Sequence, residues 1–164
     1  MCSLDKKKIE YIIIAIAIFL LVYASYFFIT YNYLEQEITT DSITLLAPKG
    51  SEYTVDGDTI VFKNMFDIYN LNITKMNSSD KRVVSLINYY SNFKLGGIEF
   101  LNESCYVLNV ACEDNGYNYH SIIIPIDSFD KEKLSFKNET TVWIFSGNNK
   151  EFVMDSAFHS KVLT

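Results

Sequence analysis

Residues 112–120 read Cys-Glu-Asp-Asn-Gly-Tyr-Asn-Tyr-His. A thiol, two carboxylates and an imidazole within nine positions could build a metal site or a nucleophile–base pair. Whether they can meet depends on spacing. Asn115-Gly116, between two long β-rich runs, is a strong hairpin signal because both residues tolerate positive φ. With these two as the loop, Asp114 pairs with Tyr117, Cys112 with Tyr119, Ala111 with His120 and Cys105 with Ile126. Directly paired residues share a face, and faces alternate along each strand. One face then carries Leu108, Val110, Cys112, Tyr119 and Ile123; the other carries Val107, Asn109, Glu113, Asn118 and His120. Cys112 and His120 are expected to point in opposite directions. Glu113 and His120 share a face, but a zinc site needs three or four protein ligands. The stretch therefore reads as a solvated hairpin tip, with no metal and no cofactor.

Other routes to catalysis find little. His120 and His159 are the only histidines, and the chain has no G-x-S-x-G, H-E-x-x-H, P-loop or C-x-x-C motif. A Cys112–His159 pair stays open on sequence alone, although a buried small hydrophobe is the commoner role for such a cysteine. Asp56 and Asp58 flank Gly57 and read as turn chemistry. Cys105 and Cys112 fall on one strand, roughly 23 Å apart at strand rise. Their odd separation sends them to opposite faces, so the expectation is two free thiols and no disulfide. The reading is a non-catalytic protein; the alternative is an extracytoplasmic hydrolase or metal-dependent enzyme with an unfamiliar site.

The element that places everything else is at the front. From Tyr11 to Leu34 the chain runs 24 residues without a charge. As a helix this is roughly 36 Å, enough to cross a hydrocarbon core. Tyr11 at one end and Tyr26, Tyr31 and Tyr33 at the other suit the two interfaces. Lys6-Lys7-Lys8 precede the run, and Glu35, Glu37 and Asp41 follow it. The positive-inside rule then sets residues 1–10 in the cytoplasm, 11–34 across the lipid bilayer, and the remainder outside the cell membrane. A cleaved signal peptide is the rival, with Val22 and Ala24 at a small-residue cleavage pattern. Its apolar region would be unusually long. Cys2 is a candidate for palmitoylation.

Residues 35–164 carry 18 acids and 11 bases, a net charge of −7. Nucleic acid is an unsuitable partner for such a surface. Residues 35–41 read as a short polar connector and 42–164 as a single domain. Its signals run as strands ("SITLL", then a hairpin "EYTVDGDTIVF" about Asp56-Gly57, then "DIYNLNITKM" with Tyr69, Leu71 and Ile73 inward). Val83, Leu86, Ile87 and Tyr90 then recur at helical spacing behind Ser78-Ser79-Asp80, with Gly96-Gly97 as the stop. "IEFL", "SCYVLNVACED", "YNYHSIIIPID" and "TTVWIFSG" are strands, with a polar loop over 131–139. A helix from about Asn148 to His159 closes the chain, Asn148 capping it and Glu151 three residues on. The fold class is α+β: an N-terminal transmembrane helix, then an antiparallel sheet with two helices covering one face.

A Pro48-Lys49-Gly50 break after the first strand, an early hairpin, a mid-chain helix, long strands, and Ser146-Gly147 leading into a terminal helix resemble the layout of PsbP and its relatives. Small anchored domains rich in Asn, Ile and Tyr are also similar to envelope proteins of methanogenic archaea. The resemblance covers about residues 42–162 and implies a binding or assembly module whose partner is another envelope protein or a surface polymer. It carries over no functional residue. Four sequons, at Asn72, Asn77, Asn102 and Asn138, are candidate glycosylation acceptors on the outer side, with Asn77 and Asn138 in loops. The 12 tyrosines and 12 phenylalanines read mainly as core.

Overall fold

In the computed structural model, residues 6–32, 34–40, 43–48, 52–63 and 70–162 are described. The lysine cluster opens helix α1 (Lys6–Asn32). Its Lys6–Phe27 portion is long and apolar enough to cross a membrane, and none of that window is buried against the rest of the protein. An apolar helix left bare on every side is not a core helix of a soluble domain. Either a membrane anchor or a signal sequence has this form.

Twelve strands follow among the described residues: β1 (Leu34–Thr39), β2 (Ile43–Pro48), β3 (Glu52–Asp56), β4 (Thr59–Lys63), β5 (Leu71–Asn77), β6 (Gly96–Phe100), β7 (Cys105–Asp114), β8 (Tyr117–Pro125), β9 (Phe129–Asp130), β10 (Ser135–Phe136), β11 (Thr141–Gly147) and β12 (Lys161–Val162). Helices α2 (Lys81–Phe93) and α3 (Lys150–Phe158) complete the α+β domain. A seven-stranded sheet in the order β3-β4-β5-β11-β8-β7-β6 is antiparallel throughout. The segment expected to be a connector over 35–41 instead includes most of β1, which joins β2 and β12 in a second, three-stranded sheet. The loop over 131–139 holds β10, which pairs with β9.

The two helices lie on opposite faces of the large sheet rather than together on one. Val83, Leu86 and Ile87 of α2 pack with Leu108, Val110, Ile122, Ile124, Val142 and Ile144. Phe152, Val153 and Ala157 of α3 pack with Val107, Ile123, Trp143 and Phe145, together with Ile38, Ile43 and Leu45 from the small sheet. Leu71 and Ile73 point inward as their alternation predicts; Tyr69 lies outside the described residues. Burial on both faces explains the continuous apolar runs of β7, β8 and β11, because a central strand covered on each side has no solvent-facing set.

Local signals set the ends with small shifts. The Asp80 carboxylate caps α2, accepting from the Arg82 amide at 2.8 Å. The helix stops at Lys94, in the left-handed region, so Gly96-Gly97 open β6 rather than ending the helix. Asn149, not Asn148, caps α3, accepting from the Phe152 amide at 3.0 Å. The first hairpin turns on Gly57-Asp58, with Asp56 opposite Thr59, one residue later than expected. At Gly147 the close approach is structural. A β-carbon there would sit 2.7 Å from the Asn70 carbonyl oxygen and 2.8 Å from a Val153 methyl, so only glycine lets α3 settle against β11.

Candidate functional site

The tip of the β7–β8 hairpin is where chemistry-bearing side chains meet. Asn115 (φ +51°) and Gly116 (φ +81°) form the two-residue turn, with Asp114 opposite Tyr117, as the dipeptide predicts. Past that pair the ladder departs from the regular register. Ala111, not Cys112, faces Tyr119; Val110, not Ala111, faces His120; Cys105 faces Pro125, not Ile126. A β-bulge accounts for this, Cys112 and Glu113 together opposing Asn118. One extra residue reverses the faces along all of β8 relative to β7. The expectation that Cys112 and His120 point apart is therefore wrong: both belong to the α2 side.

His120 is not on an exposed face either. It is 1% exposed, as is Ser146, its direct neighbour on β11. The His120 ring bonds Ser146 Oγ through Nδ1 at 2.9 Å and the Cys112 carbonyl through Nε2 at 3.1 Å. From the first turn of α2, Arg82 donates through Nη2 to Ser146 Oγ at 3.0 Å and through Nε to Asp114 Oδ2 at 2.5 Å. These bonds fix the protons. A carbonyl only accepts, so Nε2 carries hydrogen and donates to Cys112. In a neutral ring Nδ1 then accepts, and the Ser146 hydroxyl donates to it while accepting from Arg82. A proton added at Nδ1 would strand the serine hydroxyl hydrogen. Burial, aided by the nearby Arg82 charge, holds the His120 pKa below the usual imidazole value.

A serine beside a histidine suggests a nucleophile and its base. Here the serine hydroxyl is already engaged on both sides and sealed under α2. Attack on a substrate carbonyl needs an approach path to the oxygen, and Ser146 is buried at 1% exposure. The arrangement instead locks α2, β7, β8 and β11 together, with Asn148 as an outer clamp: its side-chain carbonyl accepts from the Asn118 amide at 3.1 Å beside the turn.

The remaining predicted residues are scattered. Cys105 and Cys112 are free thiols, half-buried rather than buried, packed against opposite faces of β7. Burial raises both thiol pKa values, with the Asp114 charge adding at Cys112. His159 is exposed at the end of α3 and bonds the Asp155 carbonyl, far in topology from Cys112. No three His, Cys, Asp or Glu side chains among the described residues are grouped to hold a metal ion. Asn77, Asn102 and Asn138 are exposed, whereas Asn72 is half-buried in a central strand and accepts from Thr74 Oγ1 at 2.9 Å. Cys2 lies outside the described residues.

A concave feature that the sequence did not reveal lies beside two of these sequons. The start of α2 and the 134–139 segment enclose an open cleft of about 390 Å³. Val84, Ile87, Leu134 and Phe136 form its apolar floor; Ser79, Asn88, Lys137 and Glu139 form a polar rim. Cavities of this size with an apolar base and a few polar groups are the usual form of ligand and side-chain pockets. Its walls come from segments some fifty residues apart, which no local pattern connects.

Neither a family model nor a curated protein matches this sequence.

Proposed function

We propose that the protein is a single-pass, membrane-anchored module whose exterior α+β domain binds or scaffolds another component of the cell envelope without catalysis. The observation that carries this reading is the pairing of a bare apolar helix with a domain whose open concavity is lined for contact. His120 and Ser146 are meanwhile consumed inside the fold. The PsbP-like layout of residues 42–162 agrees with an assembly role. In this reading the lysines hold the N-terminus in the cytoplasm, and the sequons at Asn77, which is exposed at the end of β5 rather than in the loop expected, and at Asn138, exposed in a loop, accept glycans outside. The cleft's partner is a protein side chain or a surface polymer with an apolar face.

Two experiments test it. Protease added outside intact cells should remove a C-terminal tag and spare the N-terminus. A protected C-terminus would reverse the topology, and a soluble fragment beginning at Ser25 would make α1 a signal peptide. For the cleft, cross-linking of the full chain in its native membrane should capture a specific partner. Val84→Asp, which puts a charge at the edge of the cleft floor, should reduce capture at least tenfold. Unchanged capture would remove the cleft from the proposal. The alternative, a hydrolase or metal-dependent enzyme with an unfamiliar site, has His120 and Ser146 as its nearest candidate pair. A hydrolytic activity abolished in Ser146→Ala under conditions where the variant remains folded would establish it instead.

A further inference from the structure

Both edges of the seven-stranded sheet, β3 and β6, lack a neighbour among the described strands. An unpaired edge presents a row of amides and carbonyls to any strand of matching length. The two edges differ in how they would receive a copy of themselves. In β6 the ladder to β7 fixes which groups face outward. Ala111 donates to the Leu95 carbonyl and Leu101 to the Cys105 carbonyl, both at 2.9 Å. In an antiparallel pair such bonded positions alternate, so residues 95, 97, 99 and 101 point towards β7. Gly96, Ile98 and Phe100 therefore point their amides and carbonyls out.

We infer that β6 is a self-association edge, pairing antiparallel with β6 of a second copy about a two-fold axis at Ile98. This register mates only outward-facing groups: Gly96 with the partner's Phe100, and Ile98 with the partner's Ile98. It forms about six backbone hydrogen bonds across the axis. The side chains fit as well. Phe100 is 63% exposed and lies on the α2 side against Tyr106, where it would cover the partner's bare Gly96. Ile98 meets its own copy. The single acid, Glu99, falls opposite Gly97, so no like charges oppose directly. Phe93 and Leu95, just before the strand, add exposed apolar surface.

The other edge disfavours the same contact. The Asp56–Thr59 pair closing the β3–β4 hairpin leaves Tyr53 and Val55 with outward-facing groups. Mating Tyr53 with the partner's Val55 sets Glu52 opposite the partner's Asp56, and like charges directly across a ladder are destabilising. Registers centred on Tyr53 or on Val55 alone avoid that clash but mate only one outward-facing residue within β3, whereas β6 mates three pairs of residues without opposing like charges. The inference does not depend on the proposed binding role, nor on whether α1 is retained.

The test uses the full chain in detergent micelles. Sedimentation with detergent mass subtracted should give a dimer, and the amides of Ile98 and Phe100 should exchange slowly with solvent. Phe100→Lys removes the covering ring at an exposed position. Ile98→Pro removes an outward donor that makes no bond to β7. Each should yield a monomer with an unchanged circular dichroism spectrum, and Phe100→Lys should raise exchange at Ile98 by tenfold or more. Val55→Lys on β3 should leave the dimer intact. A wild-type monomer overturns the inference, as does a wild-type dimer whose Ile98 amide exchanges fast or a dimer that survives both Phe100→Lys and Ile98→Pro.

Discussion

Two hairpins of the large sheet with two-residue turns, β3–β4 and β7–β8, begin from nearly the same instruction and end differently. β3–β4 turns on Gly57-Asp58 and β7–β8 on Asn115-Gly116, each a two-residue loop between β-rich arms. The first keeps a regular ladder, with every residue of β3 exposed at the sheet edge. The second breaks its ladder at a bulge three residues from the turn and lies inside the sheet, between β11 and β6, covered on both faces. At an edge, the turn alone sets register. Inside the sheet, packing on two faces sets it, and the bulge absorbs the mismatch with the turn. That adjustment is what brings His120 under Arg82 and beside Ser146.

The largest break in this comparison should come from removing cover. Truncation after Gly147 deletes α3 and strips Phe152, Val153 and Ala157 from the sheet face they protect. At about 1.5–3 kcal/mol for each large buried side chain, the loss is comparable with the whole stability of a domain. The truncated chain should show no cooperative melt. A melt near the native temperature would mean the β7–β8 hairpin holds its register without this layer.

Next in size is the polar junction. Ser146→Ala leaves the Arg82 Nη2 donor and His120 Nδ1 without their partner and should cost about 1–3 kcal/mol in denaturant unfolding. A cost below a few tenths would show that the network is not closed as described. The same junction gives a pH dependence of definite sign. The folded-state pKa of His120 is depressed, so unfolding takes up a proton in acid. Its contribution should be complete above the unfolded value of about 6.5 and fall progressively as pH drops towards the lower folded value. His120→Gln should flatten that part of the stability–pH curve. An unchanged slope in the variant would assign the proton uptake elsewhere.

Smaller still is the effect of straightening the tip. Deleting Glu113 removes the extra residue while leaving Val110 opposite His120, so the core register survives. The change turns Asp114 away from Arg82, and a partly exposed ion pair is worth about 1 kcal/mol or less. Nuclear magnetic resonance of the His120 ring should still report a neutral imidazole with hydrogen on Nε2. If the ring instead titrates normally, the bulge holds the core register and does not merely adapt to it. Val55→Thr on exposed β3 should lie within about 0.5 kcal/mol of wild type, completing the contrast.

What the residues specify locally was largely readable. The uncharged run from Tyr11 marks the helix, Asp80 marks the start of α2, and Asn115-Gly116 marks its turn, because each rests on neighbours in the chain. Misreadings arise where a distant partner decides. Leu34–Thr39 looks polar and loose, yet pairs with β2 and contributes Ile38 to the core. Asn148 stands where a cap is expected, but the hairpin tip thirty residues away claims its side chain.

The candidate sites show the same division. The sequence by itself determined a bare apolar helix, an acidic α+β domain, and the residue types gathered in 112–120. It did not determine the face each one occupies. Val107 and Leu108, like Ile122 and Ile123, are apolar on both sides of their strands. Slipping the pairing by one residue then exposes no hydrophobic set, so alternation cannot select the register. Only the tertiary structure decides it, because α2 and α3 press on the two faces at once and just one register satisfies both. The cleft between α2 and residues 134–139 has the same origin, its walls meeting only when the sheet brings them together.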